Sequence, residues 1–327
     1  FSQMSIIWVF MMRIAILGIG SIGGIFLSSL ADSNVELIAV SRGLRASQIS
    51  ETGIILHTPE GTIEHFPPEL FTVFNSDSGP LPSSLTKSCD FVLICGKSYS
   101  MPELAPLALQ LLSSDGMAIS TQNGLGHAEY LSSMIGRNKV LGCTVTHGAW
   151  KDADSFHWEG RGEIILGNLD GIEPSKMVYE FISLLEESKL SPKWSEQIIK
   201  EIWIKLLINI AINPICAITG LRNGEILIQE DLWNQSESCM NEASIIAQAS
   251  GINLNDVDLT KKLRSIVIST ETNRCSMLQD IMSGKRTEID SLCGVIISKG
   301  DSFGIPTPLN SMLFSMIKGI EKSSKIQ

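Results

Sequence analysis

The pattern of apolar and polar positions changes near residue 194 of the chain. Before that point, short apolar runs that predict strands alternate with amphipathic stretches that predict helices. After it the strand signals fade, and long helical patterns follow at residues 197–212, 232–250, 259–272, 288–299 and 308–318. Alternating strands and helices are typical of an α/β domain with a parallel sheet. The pattern therefore predicts an α/β domain over residues 12–194 and an all-helical domain over residues 195–327.

A glycine-rich turn follows the first predicted strand, at residues 12–17. It consists of Gly18, Ile19, Gly20, Ser21, Ile22 and Gly23, which fits the spacing GxGxxG. A predicted helix and a second strand come after it, and in that context the motif indicates a dinucleotide-binding turn of the Rossmann type. Gly18 permits the tight turn, Gly20 lets the backbone approach a pyrophosphate, and Gly23 lets helix and strand pack closely. The alternative is a glycine-rich turn in an unrelated α/β protein.

The residues after the second predicted strand indicate which dinucleotide binds. An NAD-preferring site usually carries Asp or Glu there, whereas this chain has Ser41 and Arg42, with no acid before Arg45. A guanidinium group can hold the 2′-phosphate of NADP through paired hydrogen bonds. We therefore predict NADPH/NADP+ as the cofactor. The alternative is that Arg42 projects into solvent.

Two further candidates lie at the carboxyl ends of predicted strands. Lys97 follows a strand at residues 89–95, and Asn123 follows another at 117–120. Open α/β sheets bind their ligands at this edge, so both residues are candidates for contact with cofactor or substrate. The alternatives are a surface-loop lysine and an ordinary Asn-Gly turn.

A row of polar residues marks the first helix of the second half. Lys205, Asn209 and Asn213 are spaced four apart, which places them on one face of a helix whose other positions are mostly apolar. Burying an amine and two amides without partners is costly, so the row predicts a polar cleft between the two domains that binds a small polar molecule. The alternative is a solvated face of a surface helix. Pro214 is predicted to end or kink this helix.

Two later segments are candidates for the same cleft. Asn273 and Ser276 are three positions apart and would share one side of a helical turn. Thr287 and Asp290 resemble an N-cap and its partner at the start of a helix. In that arrangement Glu288 would be a first-turn acid that complements the helix dipole.

Composition narrows the class of protein. The net charge of −10 and the absence of a basic patch argue against a nucleic-acid partner. The apolar run at residues 6–12 is too short to span a bilayer, so we expect no membrane partner, and residues 1–11 look like an extension upstream of Met12. Seven cysteines without a CxxC pair indicate free thiols in a reducing cytoplasm. The histidines show no spacing typical of metal ligands.

Five blocks of the chain resemble, in the same order, the 2-dehydropantoate 2-reductase family, also called ketopantoate reductases. They are GIGSIG at 18–23, Lys97 after a strand, NGLG at 123–126, WIKLLINIAINP at 203–214, and the pair NRCSMLQD at 273–280 and TEID at 287–290. The resemblance extends over residues 12–318. It implies an oxidoreductase that reduces 2-dehydropantoate to (R)-pantoate with NADPH, in pantothenate and coenzyme A biosynthesis.

By residue match the resemblance implies that Lys205 is the catalytic acid and that Glu288 is also catalytic. Together with the candidates above, the predicted substrate-binding residues are Asn123, Asn209, Asn213, Asn223, Asn273 and Ser276. The predicted cofactor-binding residues are Gly18, Ile19, Gly20, Ser21, Ile22, Gly23, Arg42, Lys97, Asn123, Ala149 and Glu288. We expect no metal, and a monomer or homodimer. The open alternatives are an NADPH-dependent reductase of a different 2-oxo acid and a non-catalytic NADP(H)-binding regulator, although a regulator has no need of a buried catalytic lysine.

Overall fold

The computed structural model describes residues 11–153 and 155–323. The predicted extension at residues 1–11 lies outside the described residues except for Met11. The chain divides into two compact units, one of residues up to 122 with 128–196, the other of residues 123–127 with those from 197 onward. We call them the first and the second unit.

The first unit is built from strands and helices in alternation. Its elements in chain order are β1 (Met12–Leu17), α1 (Ser21–Ser29), β2 (Val35–Ser41), α2 (Gly43–Thr52), β3 (Ile54–His57), β4 (Ile63–Phe66), β5 (Phe71–Asn75), β6 (Cys89–Ile94), α3 (Met101–Leu111), β7 (Leu112–Ser120), α4 (His127–Ile135), β8 (Val140–Val145), β9 (Gly148–Lys151), β10 (Phe156–Gly160), β11 (Ile164–Asn168), α5 (Lys176–Glu187) and β12 (Pro192–Trp194). Within the described ranges the strands form one sheet in the order β12-β11-β8-β7-β6-β1-β2-β5 and a smaller one in the order β4-β3-β10-β9.

The order of the large sheet decides where a ligand can bind. From β1 the chain moves outward through β2 to β5, then returns to place β6 on the other side of β1, all in parallel. The strand order therefore reverses between β1 and β6, and the carboxyl ends of these strands form the crevice where doubly wound sheets bind ligands. The last four residues of β1, from Ile14 to Leu17, are all apolar and fully buried because both faces of the sheet are covered there.

The second unit is helical. Its elements are α6 (Ile198–Thr219), α7 (Glu225–Ile228), α8 (Glu230–Ala249), α9 (Leu259–Ser269), α10 (Ser276–Met282), α11 (Cys293–Phe303) and α12 (Pro308–Ser323). α6 packs against α8, α9, α10 and α12 and supplies much of the unit's apolar core. By length and composition α6 could cross a membrane, but 72% of its apolar window is buried inside the protein, as in the core helix of a soluble protein. The predicted fold class, a Rossmann-type α/β domain followed by helices, is confirmed.

Three local predictions were wrong or incomplete. α6 does not end at Pro214 but continues to Thr219 and stops at Gly220, where φ is +76°. A proline inside a helix costs about 3 kcal/mol, and burial of the apolar side chains beyond it, each worth about 1.5–3 kcal/mol, outweighs that cost. α2 was not predicted, because only Ala46 and Ile49 of that helix are buried and its apolar pattern is weak. β9 and β10 were missed because β10 pairs with the distant β3.

The helix predicted at residues 288–299 is divided. A 3-10 turn covers Ile289–Ser291, and α11 begins only at Cys293. The predicted capping pair does not form, because the Thr287 hydroxyl donates to Glu321 and the Asp290 carboxylate accepts from Lys318. Those partners lie on α12, far along the chain, so local sequence could not reveal them.

Candidate active site

The glycine-rich turn connects β1 to α1 at the point where the strand order reverses. Gly18 has φ of +89°, and a Cβ added there would lie 2.6 Å from the backbone nitrogen of Gly96. A Cβ on Gly23 would lie 2.3 Å from the carbonyl oxygen of Gly18. A Cβ on Gly20, by contrast, would meet no described atom within 4 Å. Gly18 and Gly23 are therefore packed against protein backbone, whereas the space beside Gly20 is free for a ligand.

The start of α1 completes this turn. Ile19 is buried in the core of the first unit, and Ser21 and Ile22 form the first residues of α1. Among the described residues, no side chain caps this helix N-terminus. Uncapped amides at a helix start bind phosphate well, because the N–H groups and the helix dipole both favour negative charge. These residues therefore fit the pyrophosphate of a dinucleotide.

The segment after β6 is held against the same turn. The backbone nitrogens of Cys95 and Gly96 both donate to the carbonyl oxygen of Leu17, at 2.8 and 3.1 Å. The side-chain amide of Gln122 donates to the carbonyl oxygens of Gly96 and Lys97, at 2.8 and 2.9 Å. Lys97 therefore lies beside the glycine turn, in a backbone position fixed by Gln122. The sequence analysis did not predict Gln122 as a site residue. Its position directly before Asn123, at the end of a buried strand, could have indicated this role.

The residues after β2 lie beside two acids, Asp77 and Glu103, that local sequence did not reveal. Arg42 precedes α2 and is exposed, and its guanidinium pairs with the exposed carboxylate of Glu103 at 3.1 Å. The carboxylate of Asp77 accepts a hydrogen bond of 3.0 Å from the backbone nitrogen of Gly43. Two acids therefore lie near the predicted 2′-phosphate position, contributed by distant parts of the sequence. Because exposed ion pairs are worth about 0–1 kcal/mol, Arg42 can exchange Glu103 for another anion.

Ala149, the remaining cofactor candidate of the first unit, lies on β9. Its backbone pairs with Trp158 of β10, and its half-buried side chain packs against the core of the first unit.

The polar row on α6 forms as predicted by its spacing, since Lys205, Asn209 and Asn213 all lie within the regular helix. Lys205 and Asn209 are half-buried and Asn213 is buried. The carbonyl oxygen of Asn213 accepts a hydrogen bond from the thiol of Cys275, with a sulfur–oxygen distance of 3.5 Å. Cys275 caps α10, whose first residue is the exposed Ser276. The row on α6 is thus joined to the segment that carries Ser276.

Asn223 and Asn273 come together on a neighbouring turn. The backbone nitrogen of Asn223 donates to the carbonyl oxygen of Asn273 at 3.0 Å. The side-chain amide of Asn223 donates to the hydroxyl of Thr270 at 3.0 Å, and its side-chain oxygen accepts from the thiol of Cys216 at 3.8 Å. These contacts fix the orientation of the buried Asn223 amide within the second unit.

A side-chain hydrogen bond joins two predicted site residues, Asn123 and Glu288. The Asn123 amide donates to the Glu288 carboxylate at 3.2 Å, although the two are 165 positions apart. Glu288 is only 7% exposed. The following residues are also joined, because the backbone nitrogen of Leu125 donates to the carbonyl oxygen of Ser291 at 3.3 Å. Gly124 lies so close to Ser291 that a Cβ there would come within 2.2 Å of that oxygen.

Two thiols near these sites have raised pKa values, whereas contact with Cys216 lowers the pKa of Cys275. Burial raises the pKa of Cys95, beside Gly96, to about 12. The pKa of Cys216 is raised by its contact with Cys275 and by burial. All seven cysteines are free, as expected. In the described part of the chain no cluster of three His, Cys, Asp or Glu side chains is arranged to hold a metal ion.

A groove of about 1130 Å³ lies at the opposite edge of the first unit, where β1 and β2 begin. It is lined by the last turn of α1 and by α5, and it contains none of the predicted site residues. Because ligands of doubly wound sheets bind at the carboxyl ends of the strands, the glycine turn rather than this groove is the candidate cofactor site.

Comparison with known proteins places these observations in a family. The profile described as "Ketopantoate reductase PanE/ApbA" matches residues 14–171, and "Ketopantoate reductase PanE/ApbA C terminal" matches residues 197–321. The chain is 30% identical to a 2-dehydropantoate 2-reductase of Pyrococcus horikoshii over 310 residues, which cover 95% of this chain and 98% of the relative.

Two solved structures are similar in fold. A PanE/ApbA family ketopantoate reductase from Ralstonia eutropha superimposes with a TM-score of 0.84 and 28% identity, covering 96% of this chain and 100% of the other. A D-mandelate dehydrogenase solved with NADH and anilino(oxo)acetate has a TM-score of 0.86 at 21% identity, with coverage of 96% and 100%. The second likeness concerns the fold alone.

Proposed function

The chain belongs to the ketopantoate reductase family, and from that premise we propose that it is a 2-dehydropantoate 2-reductase that uses NADPH. The observation that carries this proposal is the hydrogen bond from Asn123 to Glu288. It joins two residues to which the resemblance gives roles in the site and which lie 165 positions apart in the sequence. The nearly full-length similarity to the Pyrococcus horikoshii enzyme supports the same conclusion.

The chemistry assigns a role to Lys205. When bound, the reduced nicotinamide supplies a hydride to the ketone carbon of the substrate, and negative charge develops on the ketone oxygen. A donor placed for that charge stabilises the transition state. The Lys205 ammonium supplies both positive charge and a proton, and general acid catalysis of this kind contributes about 10²–10⁴-fold to the rate.

The remaining polar residues of the second unit orient the substrate. Asn209 and Asn213 offer neutral amides on the same face of α6 as Lys205, so they hold the substrate without changing the charge of the site. Ser276 offers its exposed hydroxyl to the substrate carboxylate. Glu288, oriented by Asn123, either holds the Lys205 ammonium or accepts a substrate hydroxyl.

The first unit holds the cofactor. The open backbone at Gly20 and the uncapped start of α1 receive the pyrophosphate. Arg42 takes the 2′-phosphate in place of its exposed partner Glu103, which gives the preference for NADPH over NADH. Lys97, fixed by Gln122 beside the glycine turn, contacts the bound dinucleotide.

The proposal is tested by mixing the purified protein with NADPH and 2-dehydropantoate and following absorbance at 340 nm. A panel of 2-oxo acids with smaller and larger groups at C3 is run in parallel, and product is identified by mass spectrometry. We expect the highest kcat/KM with 2-dehydropantoate. A higher kcat/KM with another 2-oxo acid would make the protein a reductase of that acid. NADPH binding without oxidation by any of them would make it a regulator.

A further inference from the structure

The residue before Glu288 is anchored to α12. Thr287 is fully buried, and its backbone nitrogen and its hydroxyl both donate to one carboxylate oxygen of Glu321, at 2.7 Å each. The Glu321 side chain is only 9% exposed. The Thr287 hydroxyl oxygen in turn accepts from the backbone nitrogen of Ile289 at 3.3 Å. One buried carboxylate thus holds the backbone immediately before Glu288.

The residue two positions after Glu288 is anchored to the same helix. Asp290 accepts hydrogen bonds from Lys318 at 2.6 Å and from Arg286 at 3.0 Å. Lys318 also donates to the second carboxylate oxygen of Glu321, at 3.4 Å. Burial raises the pKa of Asp290, but the hydrogen bonds from Lys318 and Arg286 outweigh this effect and the pKa is lowered. Asp290 is therefore ionised and bound at neutral pH.

A short turn rather than a helix holds the backbone of Glu288, whose carbonyl oxygen accepts from the backbone nitrogens of Ser291 and Leu292 at 3.0 and 3.2 Å. Glu288 has φ of −98° and ψ of 22° and precedes a single 3-10 turn, with α11 starting only at Cys293. The side chains from α12 therefore add to the constraint that this short turn gives. Displacing a reactive group by about 1 Å can cost roughly 10²-fold in rate, so this constraint matters for turnover.

We infer that Glu321 is a positioning residue for Glu288, acting through Thr287 and without contact to the substrate. The inference rests on the proposed function, because that function gives Glu288 its role. A carboxylate with one oxygen on Thr287 and the other on Lys318 links both flanks of Glu288 to α12. Removing it leaves a buried N–H and a buried hydroxyl on Thr287 without their acceptor, and the segment must shift to satisfy them.

The chain offers a matched control on the same helix. The carboxylate of Glu242 accepts from the backbone nitrogens of Leu309 and Asn310, at 3.0 and 2.8 Å, and so holds the other end of α12. Glu321→Ala and Glu242→Ala both remove a carboxylate that secures α12. We expect Glu321→Ala to lower kcat about 10- to 100-fold and Glu242→Ala to leave kcat unchanged while lowering Tm. Equal losses of kcat in the two variants would overturn the inference.

Thr287 provides a second, milder pair of variants. Thr287→Val removes the hydroxyl donor and keeps the shape, whereas Thr287→Ser keeps the donor. We expect a lower kcat for Thr287→Val and a nearly normal kcat for Thr287→Ser. A normal kcat in Thr287→Val, or an equal loss in both variants, contradicts a role for this hydrogen bond.

A double mutant separates positioning from general weakening of the fold. If Glu321 acts through Glu288, the variant carrying both Glu321→Ala and Glu288→Gln has the kcat of Glu288→Gln alone. Multiplied losses would show that Glu321 affects turnover by another route and would overturn the inference.

Amide hydrogen exchange tests the inference without any turnover. We expect Glu321→Ala to speed exchange in the peptide covering residues 287–292 and Glu242→Ala to leave that peptide unchanged. An unchanged peptide in Glu321→Ala overturns the positioning role even in an active enzyme. If the wild-type protein does not turn over 2-dehydropantoate, the proposed function fails, while the exchange result still decides whether Glu321 fixes the segment.

Discussion

The candidate cofactor site and the candidate substrate site are built in different ways. In the first unit the glycine turn spans six consecutive residues. Its tight backbone path requires glycine at Gly18 and Gly23, because a Cβ at either position would collide with backbone atoms. In the second unit Glu288 depends on Asn123, 165 positions away, and Thr287 depends on Glu321, 34 positions away. A backbone site can therefore be recognised from local sequence, whereas the orientation of a side-chain site is known only once the chain has folded.

The largest expected effect separates catalysis in the second unit from cofactor binding in the first. Lys205→Ala should lower kcat by about 10²–10⁴-fold and leave NADPH affinity nearly unchanged, because the role we propose for Lys205 stabilises mainly the transition state. Steady-state kinetics and a fluorescence titration with NADPH measure the two quantities.

Lys200→Ala is the control for that variant, since Lys200 lies on the same helix and pairs with Asp256 at 2.5 Å. It should keep kcat. If Lys205→Ala instead loses helical circular dichroism, the polar row on α6 is structural rather than catalytic.

The next effect concerns the choice of cofactor. Arg42→Ala should weaken NADPH binding by roughly 1.5–3 kcal/mol, the value of a hydrogen bond to a charged group, and leave NADH binding unchanged. Glu103→Gln should strengthen NADPH binding slightly, because it removes the carboxylate that competes for Arg42. Unchanged NADPH affinity in Arg42→Ala would mean that Arg42 does not bind the 2′-phosphate.

Two glycine substitutions separate folding from binding in the turn. Gly23→Ala should lower the free energy of unfolding by about 1–3 kcal/mol, because its Cβ would lie 2.3 Å from the Gly18 carbonyl oxygen. Gly20→Ala should change it by less than about 0.5 kcal/mol, because Gly20 faces open space and has φ of −88°. Its cost should appear in NADPH affinity, measured by titration. Normal NADPH affinity in Gly20→Ala would contradict the placement of the pyrophosphate.

The smallest effect is a pH dependence confined to the first unit. His147 accepts from the backbone nitrogen of Gly162 at 2.8 Å and donates to the carbonyl oxygen of Leu190 at 3.1 Å. Burial lowers the pKa of His147 below its ordinary value of 6.5. The unfolded chain therefore binds this proton at higher pH than the folded protein, and the free energy of unfolding falls as pH drops below about 6.5.

Denaturant unfolding at pH 7.5 and pH 5.5 measures that dependence. The decrease in the free energy of unfolding should be smaller in His147→Gln than in the wild-type protein. An identical decrease in both would assign the pH dependence to other groups. Asp290 in the second unit, with its lowered pKa, should lose its stabilising contribution only at more acidic pH.

The same contrast explains what the sequence could predict. The sequence predicted strand β1, the glycine turn and most of α6. The spacing of apolar residues and of glycines is visible within a short stretch of sequence. The extension of α6 past Pro214 was missed because core burial outweighed a local rule. The division of the helix predicted at 288–299 was missed because Thr287 and Asp290 form hydrogen bonds with Glu321 and Lys318 of the distant helix α12. Family membership was predictable because its motifs lie in short blocks, and the matching profiles confirm it.

We propose that this chain transfers a hydride from NADPH to C2 of 2-dehydropantoate. The most direct measurement uses the two forms of NADPH that carry deuterium on one or the other face of C4, followed by mass spectrometry of the product. We expect pantoate with one deuterium at C2 from one form and none from the other, and the same label, formed more slowly, with Lys205→Ala. Unlabelled pantoate from both forms, or NADPH oxidation without pantoate, would contradict the account.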